Sequence, residues 1–152
     1  MSKRLLKVFV ALALAGLAAG AGIAGAQGRS NEFSASMTGA KEKPDKGPAN
    51  ARGTFRVEFR RGQACYRMSV SALGSRPVAA HIHRGGSTVA GPVVIDLKPT
   101  FRGTSPRVSE KCVPARATIV SAIRRNPAGY YANVHTGANP AGAARGQLRV
   151  DR

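Results

Sequence analysis

The sequence predicts an all-β fold, a Greek-key sandwich of about seven short strands with one short helix before the last two strands. Three observations predict it. Several short runs alternate apolar and polar residues with period two. Glycine- and proline-rich turn signals separate those runs. Only one segment carries helical periodicity, so helices cannot supply the layers, and two packed antiparallel sheets remain.

The elements follow in order. Glu32–Thr38 (EFSASMT) alternates as a half-buried strand does. Residues 39–50 hold Gly39, Pro44, Gly47 and Pro48 among lysines and form a loop. Residues 53–60 (GTFRVEFR) alternate most cleanly: Phe55, Val57 and Phe59 face the core, and Thr54, Arg56, Glu58 and Arg60 face water. Arg61-Gly62-Gln63 turns the chain into a hairpin partner at residues 64–72, with Tyr66, Met68 and Val70 inward. Residues 78–83 make the next strand, 84–91 a glycine-rich loop, and 92–97 (PVVIDL) a short β-branched strand holding Asp96 in buried-looking surroundings. Residues 98–114 read as irregular. Residues 115–125 (ARATIVSAIRR) are the one helix, with Ile119, Ala122 and Ile123 on its apolar face and Asn126-Pro127 as its stop. Residues 129–135 and 146–150 are the last two strands, and the Gly-, Ala- and Pro-rich stretch 136–145 is the loop between them.

The N-terminus reads as an export signal. Lys3, Arg4 and Lys7 precede an apolar run from Val8 to about Gly22, and Ala24-Gly25-Ala26 offers a small-x-small cleavage site before Gln27. The alternative is a retained anchor of near-spanning length. Residues 1–26 are thus expected to be removed, residues 27–31 to be loose, and residues 32–152 to form one domain, large enough to bury roughly two-thirds of its unfolded surface. After cleavage no membrane span is expected.

The chain carries 24 Lys and Arg against 7 Asp and Glu, a net charge of +17. Such a field attracts polyanions. The arginines are scattered and no aromatic-interleaved basic block occurs, so nucleic acid is not expected. For an exported chain the expected partners are an extracellular protein or an anionic envelope polymer. Cys65 and Cys112 are the two cysteines. An even count in an exported chain favours their pairing as a disulfide, with free thiols as the alternative in a reducing compartment.

Ala80-His81-Ile82-His83-Arg84-Gly85, Tyr131-Ala132-Asn133-Val134-His135-Thr136 and Ala144-Arg145-Gly146-Gln147-Leu148 resemble, in order, the AHIHxG, YxNVHT and RGQL motifs of the CHRD (chordin-type) family. The opening FSASMTGAKEKP and the strand ARGTFRVEF resemble the family's first two strands, so the likeness runs from about Phe33 to Arg149. It implies an immunoglobulin-like or dismutase-like sandwich, since the family is similar to the copper/zinc superoxide dismutases, and it implies fold and an extracellular compartment better than an activity. It also marks Arg84, Gly85, Tyr131, Asn133, Thr136, Arg145, Gly146 and Gln147 as motif positions. Arg145 falls where the dismutases carry an anion-attracting arginine.

The chain has three histidines, His81, His83 and His135, all inside these motifs. His81 and His83 are two apart on a strand, so both rings leave one face with Cβ atoms roughly 7 Å apart. With His135 alongside, three imidazoles and an open position suit copper(II) or zinc, with copper favoured by the affinity order. The other reading is a set of neutral imidazoles hydrogen-bonded to Tyr131, Asn133 and Thr136. A dismutase needs more histidine ligands than three, so that activity is not expected. No paired carboxylates, nucleophile elbow or phosphate-cradling glycine motif is present either. The sequence thus points to a non-enzymatic binding module without a catalytic residue, and alternatively to a copper- or zinc-binding envelope protein.

Overall fold

The computed structural model of the chain describes residues 31–151. The expected export segment, residues 1–26, and residues 27–30 lie outside them. Among the described residues nine strands form: β1 (Glu32–Thr38), β2 (Arg52–Arg60), β3 (Gln63–Ser71), β4 (Pro77–Arg84), β5 (Val93–Asp96), β6 (Arg107–Pro114), β7 (Tyr130–Thr136), β8 (Asn139–Gln147) and β9 (Arg149–Val150). One α-helix, α1 (Ala117–Arg125), lies between β6 and β7.

The strands pair antiparallel in the order β5-β4-β7-β8-β1-β2-β3-β6, with β9 added beside β1. The sheet folds over on itself at the β8–β1 seam, where the register holds a single pair, Thr38 opposite Arg145. Its two halves close on one core. Ile82, Ala132, Val134 and Ala144 come from one half, and Phe33, Phe55, Val57, Tyr66 and Met68 from the other. The alternation in β2 is the cause on that side: Phe55, Val57 and Phe59 are buried while Arg56 and Arg60 are exposed. Tyr66 ties the layers, donating its hydroxyl hydrogen to the Leu97 carbonyl at 3.1 Å. Truncating Phe55 at the centre of this core would cost about 3–5 kcal/mol.

Two strands stand where the sequence reads as loop. β6 buries only Ser109 and Val113 of its eight residues, so an edge strand shows no apolar alternation. It is held by a full register with β3 in which Cys65 faces Cys112, and the two form the expected disulfide. That cross-link closes 47 residues. In the chain-entropy account it stabilises the fold by roughly 4 kcal/mol. β8 (NPAGAARGQ) has loop-like composition for a packing reason. A Cβ on Gly146 would collide with the Ser36 carbonyl of β1, so the seam closes only around small residues.

Helix α1 buries Val120 and Ile123, while Ile119 and Ala122 are only partly covered, a shift of the expected face by one position. It ends where Asn126 N–H bonds the Ala122 carbonyl at 3.1 Å, before Pro127. Among the described residues no helix is long and apolar enough to cross a membrane.

Candidate metal centre

β4 and β7 are neighbours, with His81 opposite Asn133 and His83 opposite Tyr131. Period two sends His81, His83, Tyr131, Asn133 and His135 to the outer face and Ile82, Ala132 and Val134 to the core. The three histidines meet there. Their ligand atoms all lie within 4.8 Å of one another, and the His81 and His135 rings are 4.8 Å apart between centroids.

Backbone carbonyls fix the imidazole tautomers. His83 Nδ1 lies 2.8 Å from the Gly91 carbonyl, and His135 Nδ1 lies 2.9 Å from the Pro140 carbonyl. A carbonyl only accepts, so both Nδ1 atoms carry hydrogen and both Nε2 atoms present lone pairs. His81 Nδ1 lies 2.9 Å from His135 Nε2 and must donate to it. His81 Nε2 then faces Asp96 Oδ1 at 3.9 Å. His83 Nε2 is buried without a hydrogen-bond partner, as is Asn133 Oδ1.

Burial pushes all three imidazole pKa values below the usual histidine value of 6.5. For His81, the other two imidazoles push in the same direction and Asp96 opposes them. For His83, the Gly91 carbonyl opposes burial, as does the nearby Asn133 side chain, which makes no hydrogen bond of sound geometry to Nε2, and the Arg145 charge adds to burial. For His135, the Pro140 carbonyl opposes and His83 adds. The cluster is therefore neutral at pH 7, the form in which imidazole binds a metal.

The loop after β4 folds back over this face because glycine stands at residue 91. Gly91 N–H donates to the Tyr131 hydroxyl at 3.1 Å, and a Cβ there would collide with the Arg84 carbonyl. Gly85 anchors the loop's other end, with N–H to the Gly129 carbonyl at 2.8 Å and its own carbonyl accepting from Gln147 Nε2 at 2.9 Å. Arg145 straps the middle. It is 1% exposed, donates to the Val89 and Gly86 carbonyls at 2.9 Å each, and lies 3.5 Å over the Tyr131 ring.

Several sequence expectations change in detail. Tyr131 and Thr136 do not bond the histidines: the Tyr131 hydroxyl serves Gly91, and Thr136 Oγ1 accepts from Asn139 in the β7–β8 turn at 3.1 Å. The nearest polar contact of His81 is another histidine, because the paired strands β4 and β7 send both rings to one face. Arg145 does not hold its guanidinium out to an approaching anion, since loop carbonyls occupy it. Asp96 is exposed on the edge strand β5 rather than buried, and from there it faces His81. Arg84 is exposed and pairs in register with Tyr130. Gly146 serves the seam. The sequence reading missed the carbonyls of Gly91 and Pro140, whose only signal is the flanking glycine and proline.

The site fits a transition metal by its own chemistry: three neutral imidazoles, two with oriented lone pairs, one buried and unpartnered. Among curated proteins none matches the chain. The family model of the CHRD domain matches residues 33–148, which include every strand residue of the site and all three histidines. The chain belongs to the CHRD domain family.

Proposed function

We propose that the chain is a non-enzymatic binding module that acts outside the cytoplasm and takes a divalent copper or zinc ion at His81, His83 and His135. The observation that carries this reading is the convergence of three neutral imidazoles around the unpartnered His83 Nε2. His83 Nε2 would bind as it stands, and His135 Nε2 once the His81 Nδ1 hydrogen that it accepts has left it. His81 would offer Nδ1 after its proton moves to Nε2, where the Asp96 carboxylate faces it. The Gly91 and Pro140 carbonyls act behind the ligands, holding ring orientation and raising donor strength. Bound there, the ion would supply a Lewis-acidic or redox centre. Imidazole donors favour copper(II) over zinc(II) by affinity.

The disulfide supports an oxidising compartment. The excess of basic side chains supports an extracellular protein or an anionic envelope polymer as the larger partner. With all three histidines of the chain in one cluster, no imidazoles remain for the second metal site of a dismutase.

Calorimetric titration of the full chain with copper(II) and zinc(II) tests the reading. One ion per chain is expected, with affinity falling about a hundredfold or more in His83→Ala. Equal binding by that variant would exclude the site.

A further inference from the structure

A second site lies on the same outer face, on the far side of Arg145 from the histidines. At the β8–β1 seam a cleft of about 250 Å³ is lined by Ser36, Lys41, Lys43, Ser87, Arg145 and Arg149, together with the polar backbone and side chain of residues 146 and 147. Four of these side chains are cationic and two carry hydroxyls. Among the described residues no carboxylate lines the cleft. Among the described residues none of the four cations is in an ion pair.

The arrangement has local causes. Lys41 ends the short turn after β1 and is held over the strand by one hydrogen bond from Nζ to the Ser36 carbonyl, at 2.9 Å. Two of its three donors are left for another acceptor. Arg149 leans along β9 toward Ser34, with Nε 3.3 Å from Oγ. Arg145 supplies a fixed charge in the wall, oriented by loop carbonyls and offset in part by the buried Glu42 carboxyl behind it. Concave walls of one sign concentrate counter-ions. The volume falls just under the range of sites for drug-sized ligands, so it suits one small anionic group.

We propose that this cleft binds a phosphate-type oxyanion, through Lys41, Lys43 and Arg149 as charged donors and Ser36 and Ser87 as hydroxyl donors. It is independent of the metal reading, because no histidine lines it.

Titration of the full chain with inorganic phosphate and, separately, with glycerol 1-phosphate tests it. Saturable binding is expected, weakened at least tenfold in the double variant Lys41→Gln/Arg149→Gln. The control Arg76→Gln/Arg102→Gln removes two exposed charges away from the cleft and is expected to bind as wild type. Both cleft residues are exposed, and thermal unfolding of each variant verifies folding. Tighter binding of the ester supports the site with a pendant phosphate group as its ligand; equal binding supports it with the free ion. No saturable binding at low salt, or equal weakening in both double variants, would overturn the proposal.

Discussion

The imidazole of His83 stacks on the phenol ring of Tyr131, with centroids 4.8 Å apart and planes 7° from parallel. Arg145 lies over the same ring at 3.5 Å. His83 is on β4 and Arg145 on β8, the strands flanking β7, so the Tyr131 ring is held from both sides. Gly91 closes the arrangement. Its carbonyl accepts from His83 and its N–H donates to the Tyr131 hydroxyl. Ring, loop and ligand orientation are therefore one unit.

Removing the Tyr131 hydroxyl should loosen that unit without dismantling the fold. Tyr131→Phe keeps the stack and deletes the acceptor for Gly91 N–H. A stability loss of about 1–3 kcal/mol is expected. Metal affinity should fall about tenfold, as for other groups behind a ligand. Denaturant unfolding and metal titration of the variant read both. Unchanged values for both would show that the loop is held by Arg145 alone.

Glu42 gives a pH dependence of opposite sign to the histidines. It is 2% exposed, its Oε1 has no hydrogen-bond partner among the described residues, and burial raises its pKa from 4.5 to about 7, with Arg145 and the Lys43 backbone N–H opposing. A raised carboxyl pKa means that the folded state favours the proton. Stability from this group is full below pH 4.5 and is lost as pH rises through about 7. Glu42→Gln should therefore raise stability at pH 8 by roughly 1–3 kcal/mol. The gain should vanish near pH 4. A constant gain across that range, read by thermal unfolding, would mean that the effect is not titration of this carboxyl.

The histidines act in the other direction. Their folded pKa values lie below the ordinary 6.5, so the metal-free fold keeps their contribution above pH 6.5 and loses it as pH falls through the lowered values. Below pH 6.5 this loss runs against the gain from Glu42. In the Glu42→Gln background the histidines remain, and stability should fall on acidification from pH 6.5. A rise in that background would contradict the assignment of neutral, buried imidazoles.

The sequence was most legible where one face of a strand is wet. Phe55, Val57 and Phe59 alternate with charged residues, and the same period placed His81 and His83 on one side. It was least legible at β6 and β8. The first is an edge strand with two buried side chains, and the second is built of small residues because Gly146 must pass close to Ser36. The histidine cluster followed from spacing and motif, but its hydrogen bonds did not. Carbonyls of Gly91 and Pro140 have no side-chain signature, and Asp96 reaches His81 only because β5 pairs with β4. Arg145 misled for a related reason: its surroundings are loop carbonyls brought in by the fold.

Electron paramagnetic resonance of the copper(II)-loaded full chain tests the shared histidine site most directly. Nitrogen superhyperfine structure from three imidazoles is expected in the wild type, reduced by one nitrogen in His135→Ala. An oxygen-dominated spectrum that is the same in wild type and in that variant would contradict it.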